Sequence, residues 1–259
     1  MIECFVSSKS LPEAYHNALY RLWLDGEIVP CPDYNTNQKE VSMTMMVEDP
    51  FREPMISKLF IGGYKELQQY IMEMRDGILD FEVDKGNWKY TYHNRIASYG
   101  SKRSFVCGLN QFDFIIEELK RNPDSRRAVI DIRDNWDDMY SDDPACLQHI
   151  QFFIRDNKLH MKVLFRSNDA CKATFMNAFA LIMIQKMIAN ELGIKVGTYT
   201  HRANSFHCYE KDFKMLDGYV NRIHDYDEEY LTYDYEDDWK EMMEDCIPEI
   251  LENVKKLKG

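Results

Sequence analysis

Apolar residues recur at helical spacing in three places along the first half of the chain. Residues 11–23 carry one such stripe, with Pro12 tolerated in a first turn and Gly26 near the stop. Residues 62–74 carry a second, which puts Leu67, Tyr70, Ile71 and Met74 on one face. Residues 112–119 carry a third, ended by Asn122-Pro123 because proline cannot continue a helix. The period then changes. Residues 128–132 alternate around Val129 and Asp131, which predicts a strand. Residues 149–155 and 159–165 are β-prone runs on either side of Asp156-Asn157-Lys158, the chemistry of a hairpin turn. Residues 175–192 are too long and too apolar for a strand and predict a buried helix closed by Gly193. Residues 196–201 return to strand. Helices and strands mix without regular βαβ alternation, so the pattern predicts an α+β fold around a large sheet, with residues 1–259 as a single domain. Residues 225–245, dense in Asp, Glu and Tyr, read as a solvated acidic segment leading into an amphipathic last helix.

Composition narrows the classes. Hydrophobic content of 45% and charged content of 29% are those of an ordinary globular chain, and 259 residues suffice for a substantial core. No apolar run reaches the roughly 18 residues needed to span a bilayer, and the start, Met1-Ile2-Glu3-Cys4, does not read as a secretory signal. The seven cysteines are odd in number and lack zinc-type spacing, so neither a disulfide framework nor a metal site is expected, and the setting is read as a reducing cytoplasm. A net charge of −12 argues against general nucleic-acid binding. A mononucleotide needs only a local arginine cluster, which an acidic protein can supply.

Candidate chemistry lies in the second half of the chain. Cys146 ends Asp143-Pro144-Ala145-Cys146; Arg166-Ser167-Asn168-Asp169, Asn177 and His207-Cys208-Tyr209 follow. Together they offer a soft nucleophile, a phosphate anchor, a donor/acceptor pair for a pyrimidine edge and two groups for a sugar hydroxyl. C5 of a pyrimidine is not nucleophilic until a thiolate adds to C6, and an arginine beside Cys146, with Arg166 the candidate, would favour the thiolate.

From about Tyr90 to Tyr209 this order of motifs resembles the thymidylate synthase family. That family runs Pro-Cys-His, Gln-Phe-Tyr, Gln-Arg-Ser-x-Asp, Asn and Gly-Asp-x-His-x-Tyr; here the frame includes Gln151-Phe152-Phe153 and Phe165-Arg166-Ser167-Asn168-Asp169. Asn122-Pro123-Asp124-Ser125-Arg126-Arg127 also matches. The resemblance implies a large mixed β-sheet flanked by helices, with a sheet face forming a homodimer interface. It implies Cys146 as nucleophile, Arg166 and Ser167 on the phosphate, and Arg126 and Arg127 reaching the partner subunit's nucleotide. Asp169 and Asn177 would read the base, Asn177 favouring uracil, while His207 and Tyr209 would hold the 3′-hydroxyl. Tyr92 would help move the C5 proton, with Tyr99-Gly100 as a rival, and Glu66 would order water at O4. As bland alternatives, Asn177 is a helix cap, Glu66 a surface glutamate and the arginine pair a match to a helix C-terminus.

The implied substrate is a pyrimidine nucleoside monophosphate, dUMP favoured, and the implied donor is 5,10-methylenetetrahydrofolate or another methylene-pterin. The implied product is dTMP, with a 5-hydroxymethylase and an inactive nucleotide-binding relative as alternatives. The family's Arg-Thr-Gly-Thr loop has no match in Cys31-Pro32-Asp33-Tyr34-Asn35-Thr36, its C-terminal tail has none either, Leu147 replaces the usual His and Phe165 the usual Gln. Glu48-Asp49-Pro50 and Tyr90-Thr91-Tyr92-His93-Asn94-Arg95 are similar to the archaeal branch.

Overall fold

A computed structural model describes residues 1–100 and 108–259. Its strands are β1 (Glu3–Ser8), β2 (Glu27–Cys31), β3 (Thr36–Val47), β4 (Ile56–Ser57), β5 (Val129–Asp131), β6 (Leu147–Arg155), β7 (Lys158–Phe165), β8 (Asn168–Asp169), β9 (Lys195–Tyr209) and β10 (Thr232–Tyr233). Its helices are α1 (Leu11–Asp25), α2 (Tyr64–Asp76), α3 (Phe81–Asp84), α4 (Tyr92–Ala97), α5 (Gln111–Arg121), α6 (Asn135–Asp138), α7 (Thr174–Glu191), α8 (Phe213–Asp225), α9 (Lys240–Asp245) and α10 (Ile247–Lys258). The fold is the expected large mixed sheet with helices. The chain forms two compact units: Met1–Gly62, Leu164–Phe179 and Thr198–Glu241 in the first, Gly63–Val163, Ala180–Gly197 and Met242–Gly259 in the second.

In the first unit β3 is the hub. It runs parallel to β1 and antiparallel to β2 and β9, and a bulge between Val41 and Met43 shifts its register on β9. The two-residue β8 lies parallel to β9 and pairs Asn168 with Phe206 and Asp169 with His207. Helix α1 starts at Ser10, whose hydroxyl accepts from the Glu13 amide, and buries Leu11, Tyr15, Leu19 and Leu22. Phe175, at the start of α7, packs its ring 5.5 Å from Tyr15 and 4.9 Å from Phe60. Within residues 225–245, Trp239 packs on Phe60 and Tyr235 on Phe179, so aromatic anchors hold the acidic stretch to this unit.

In the second unit β5, β6 and β7 lie side by side. Asp156 and Asn157 adopt φ of 51° and 56°, the left-handed pair that a two-residue hairpin turn needs; the turn falls within the predicted Asp156-Asn157-Lys158, with Lys158 already in β7. Helix α2 closes on Gly77 at φ 64°, a conformation that favours glycine. Met72 of α2 packs with Cys246 and Ile250 near the start of α10.

The predicted helices all form, with ends moved by one or two residues, the ordinary uncertainty of a frayed end. The strand predicted over 196–201 instead continues to Tyr209. Asn204 and Ser205 interrupt the apolar alternation, but β3 pairs along both sides of that interruption and keeps the strand extended.

Candidate functional site

The predicted site residues fall into two groups, one in each unit. In the first unit β9 delivers His207 between two neighbours, Glu40 of β3 and Asp169 of β8. Tyr209, two residues on, faces the same side, with its ring 4.7 Å from His207 and nearly perpendicular to it. His207 is 3% exposed, and burial pushes its imidazole below the usual histidine range, so it is neutral. Its Nδ1 lies 3.2 Å from the Ser205 carbonyl oxygen, which can only accept, so Nδ1 carries the proton. Nε2 is then an acceptor, and it is buried without a hydrogen-bond partner among the described residues. A buried acceptor of this kind fits a hydroxyl donor. Ser167 Oγ lies 3.5 Å from His207 Nδ1, which joins the Arg166-Ser167 corner to the same cluster.

Asp169 uses Oδ1 to accept from the backbone amides of Cys171 at 3.0 Å and Lys172 at 2.9 Å, so it ties down the approach to α7. Asn177 is 5% exposed and sits inside the first turn, its amide already bonded to the Ala173 carbonyl. Asp169 and Thr174 do the local fixing at the start of α7, the Thr174 hydroxyl bonding to the Asp169 carbonyl at 2.9 Å.

A second histidine, His201, lies on the same strand at 1% exposure. Burial lowers it to about 3, so it stays neutral. A histidine whose folded value is depressed is protonated first in the unfolded chain, so folding stability is intact above about 6.5 and is lost as pH falls toward 3. Urea unfolding should show this group removing ~2 kcal/mol between pH 6.5 and pH 5, at about 1.4 kcal/mol per unit. His201→Gln should flatten that slope, and an unchanged slope in the variant would show that the loss arises elsewhere.

In the second unit Cys146 immediately precedes β6 and is half-buried. Two tyrosines hold this turn. The Tyr90 hydroxyl accepts from the Cys146 amide and from the Tyr92 hydroxyl, and the Tyr92 oxygen in turn accepts from the Leu147 amide at 3.4 Å. Burial pushes Tyr70, Tyr90 and Tyr92 well above the usual phenol range, and a thiolate at Cys146 pushes each further, so all three are neutral. Beside them is a cavity of about 540 Å³ lined by Tyr70, Glu73, Trp88, Tyr90, Tyr92 and Asp143 among others. Burial raises the Glu73 carboxyl, which accepts from Gln69 at 2.9 Å.

Glu66 is exposed at the start of α2, where its carboxylate accepts from the Gly63 amide at 2.9 Å as half of a capping box. Tyr99, the rival to Tyr92, donates its hydroxyl to the Arg133 carbonyl at 3.1 Å. Arg127 pairs with Glu118 at 3.2 Å, and hydrogen bonds from Ser125 and Arg121 hold that carboxylate at about 2. Arg126 is exposed next to it. The sequence reading missed Glu73, Tyr70 and Tyr90. Glu73 follows Glu66 by two helical turns and so lies on the same face, which was the available signal.

These features match a known pattern along most of the chain. The family model for thymidylate synthase matches residues 61–246. A relative from Methanocaldococcus jannaschii that carries a provisional thymidylate synthase name is 32% identical, over 83% of this chain and 95% of that protein. One from Methanothermobacter thermautotrophicus, named in the same way, is 33% identical over 62% of this chain and 66% of its own. The thermostable thymidylate synthase A of Bacillus subtilis superposes with a TM-score of 0.64 at 16% identity, covering 82% of this chain and 84% of that one, so it shares the fold. With a family model spanning most of its length and archaeal relatives at this identity, the chain belongs to the thymidylate synthase family, in a divergent branch similar to the archaeal one.

Proposed function

We propose that the protein transfers a one-carbon unit from a methylene-pterin to C5 of dUMP and reduces it to a methyl group, giving dTMP. The observation that carries this reading is the half-buried Cys146 thiol among three neutral tyrosine hydroxyls, next to a cavity with aromatic walls. The Cys146 sulfur adds to C6 of the uracil, and the ring's electron pair moves toward C5 and O4. C5 would then bond to the incoming carbon and lose its proton; once that carbon's bond to the pterin nitrogen breaks, a hydride added to it would complete the methyl group and expel the Cys146 thiolate, restoring the ring. A neutral phenol passes a proton on by accepting at one lone pair while donating its own, and the hydroxyl that Tyr92 gives to Tyr90 forms such a line. Two carboxyls on α2 compete for the water-ordering task, Glu66 from the sequence and Glu73 bordering the cavity; the raised proton affinity of Glu73 favours it.

The walls formed by Tyr70, Trp88, Tyr90 and Tyr92 fit a planar heteroaromatic ring. The pterin, whether methylenetetrahydrofolate or a relative, supplies both the carbon and the hydride. Arg166 and Ser167 hold the phosphate, His207 Nε2 and Tyr209 take the sugar hydroxyl, and Asp169 and Asn177 face the base. Arg126 and Arg127 serve the partner subunit's nucleotide in a homodimer. The odd number and scattered spacing of the cysteines support a reducing, cytoplasmic setting.

Incubation with dUMP and methylenetetrahydrofolate followed by mass analysis tests the reading. A methyl product supports it, one with an additional oxygen marks a hydroxymethylase, and no product with no adduct to 5-fluoro-dUMP marks an inactive relative. Asn177→Asp should shift preference from uracil toward cytosine nucleotides by about tenfold or more, because a carboxylate accepts from the cytosine amino group and offers no donor to O4. Competition between dUMP and dCMP measures this, and equal selectivity in the variant would remove Asn177 from base reading.

A further inference from the structure

The segment Arg166-Ser167-Asn168-Asp169 is anchored by only two residues of strand, Asn168 and Asp169. Backbone bonds flank that pairing, from the Ser205 amide to the Arg166 carbonyl at 3.2 Å and from the Ala170 amide to the His207 carbonyl at 2.7 Å, and buried side chains add to them. Asn168 is 4% exposed, so its side chain points into protein. Its Oδ1 is 2.8 Å from His201 Nε2 and 2.9 Å from the Thr174 hydroxyl. An amide oxygen can only accept, so His201 carries its proton on Nε2, and its Nδ1 accepts from the Tyr199 hydroxyl at 2.8 Å. The His201 ring also stacks on Phe165 at 4.7 Å and 13°, and Phe165 is the residue just before Arg166. Phe165 was among the departures from the family signature, and the stack gives it a role. One imidazole thus grips the segment at both ends, by a face contact before Arg166 and a hydrogen bond at Asn168.

We infer that His201 is a positioning residue for nucleotide binding, setting the place of Arg166, Ser167 and Asp169 through Phe165 and Asn168. The inference rests on the proposed function and deepens it. The line Tyr199–His201–Asn168 is fully buried and has a single tautomer, so it aims the phosphate and base ligands without touching the nucleotide.

Titration calorimetry with dUMP and steady-state kinetics on the full chain test it. His201→Leu removes both hydrogen bonds and should raise Kd and KM for dUMP about tenfold while kcat at saturation stays within about twofold. His201→Gln keeps a donor and an acceptor and should restore binding to within about threefold. If the leucine variant does not fold, Tyr199→Phe decides: it deletes one oxygen, should weaken dUMP severalfold, and should broaden the single Nε2–H tautomer in nitrogen NMR. Folded variants that bind dUMP like wild type would overturn the positioning role alone. Wild-type protein with no affinity for dUMP would bring down the proposed function, and this inference with it.

Discussion

Replacing Cys146 with alanine is expected to cut turnover of dUMP by at least about 10⁴-fold, the scale seen when a covalent nucleophile is removed. In the proposed reaction the thiol makes C5 reactive, because C6 addition is what converts an inert ring carbon into a nucleophilic one. Nucleotide affinity should change little, since phosphate, base and sugar are assigned to Arg166, Ser167, Asp169, Asn177, His207 and Tyr209 in the other unit. The variant should therefore separate the two functions: equilibrium binding of dUMP within a few-fold of wild type, with no tritium release from C5 and no covalent adduct with 5-fluoro-dUMP. Retained tritium release would mean that the reaction does not proceed through this sulfur. The turn itself should survive, because Tyr90 and Tyr92 hold it through backbone amides that the substitution leaves in place.

Mixing one variant that cannot turn over with one that binds dUMP weakly should restore activity at low dUMP. Arg126→Ala is expected to weaken dUMP binding by about ten- to a hundredfold, the worth of a charge-assisted hydrogen bond to phosphate. If Arg126 serves the partner's nucleotide, a heterodimer of Arg126→Ala and Cys146→Ala contains one site with both defects and one with neither. Random pairing of equal amounts puts half the subunits in heterodimers, so about a quarter of wild-type activity should return at low dUMP. A mixture no more active at low dUMP than the average of its components would show that each site is completed within one chain. The exposure of Arg126, and of Arg127 at 71%, leaves both guanidinium groups at the surface where a second subunit can meet them.

The extent to which sequence alone reached these conclusions differs between elements. The helix over 174–191 and the hairpin at 156–157 followed directly from period, length and turn chemistry, because those signals are local. The strands β1 and β3 did not. Their apolar residues, such as Met43, Met45 and Val47, are buried because β1 and β9 flank them, and that partnership spans over 150 residues. Likewise no local signal shows that Asp169 ties down the approach to α7 through the Cys171 and Lys172 amides.

The order and spacing of Cys146, Arg166, Asn177 and His207 pointed to the family and to the chemistry proposed for it, since residue type determines what each group can donate, accept or attack. Only the folded chain decided protonation and placement. His207 and His201 are neutral because of burial, Glu73 gains its proton affinity from the wall it borders, and Tyr90 acquires its role from a peptide bond 56 residues away in sequence. Desolvation and hydrogen-bond geometry depend on which distant segments close around a group, and no local pattern in the chain encodes that.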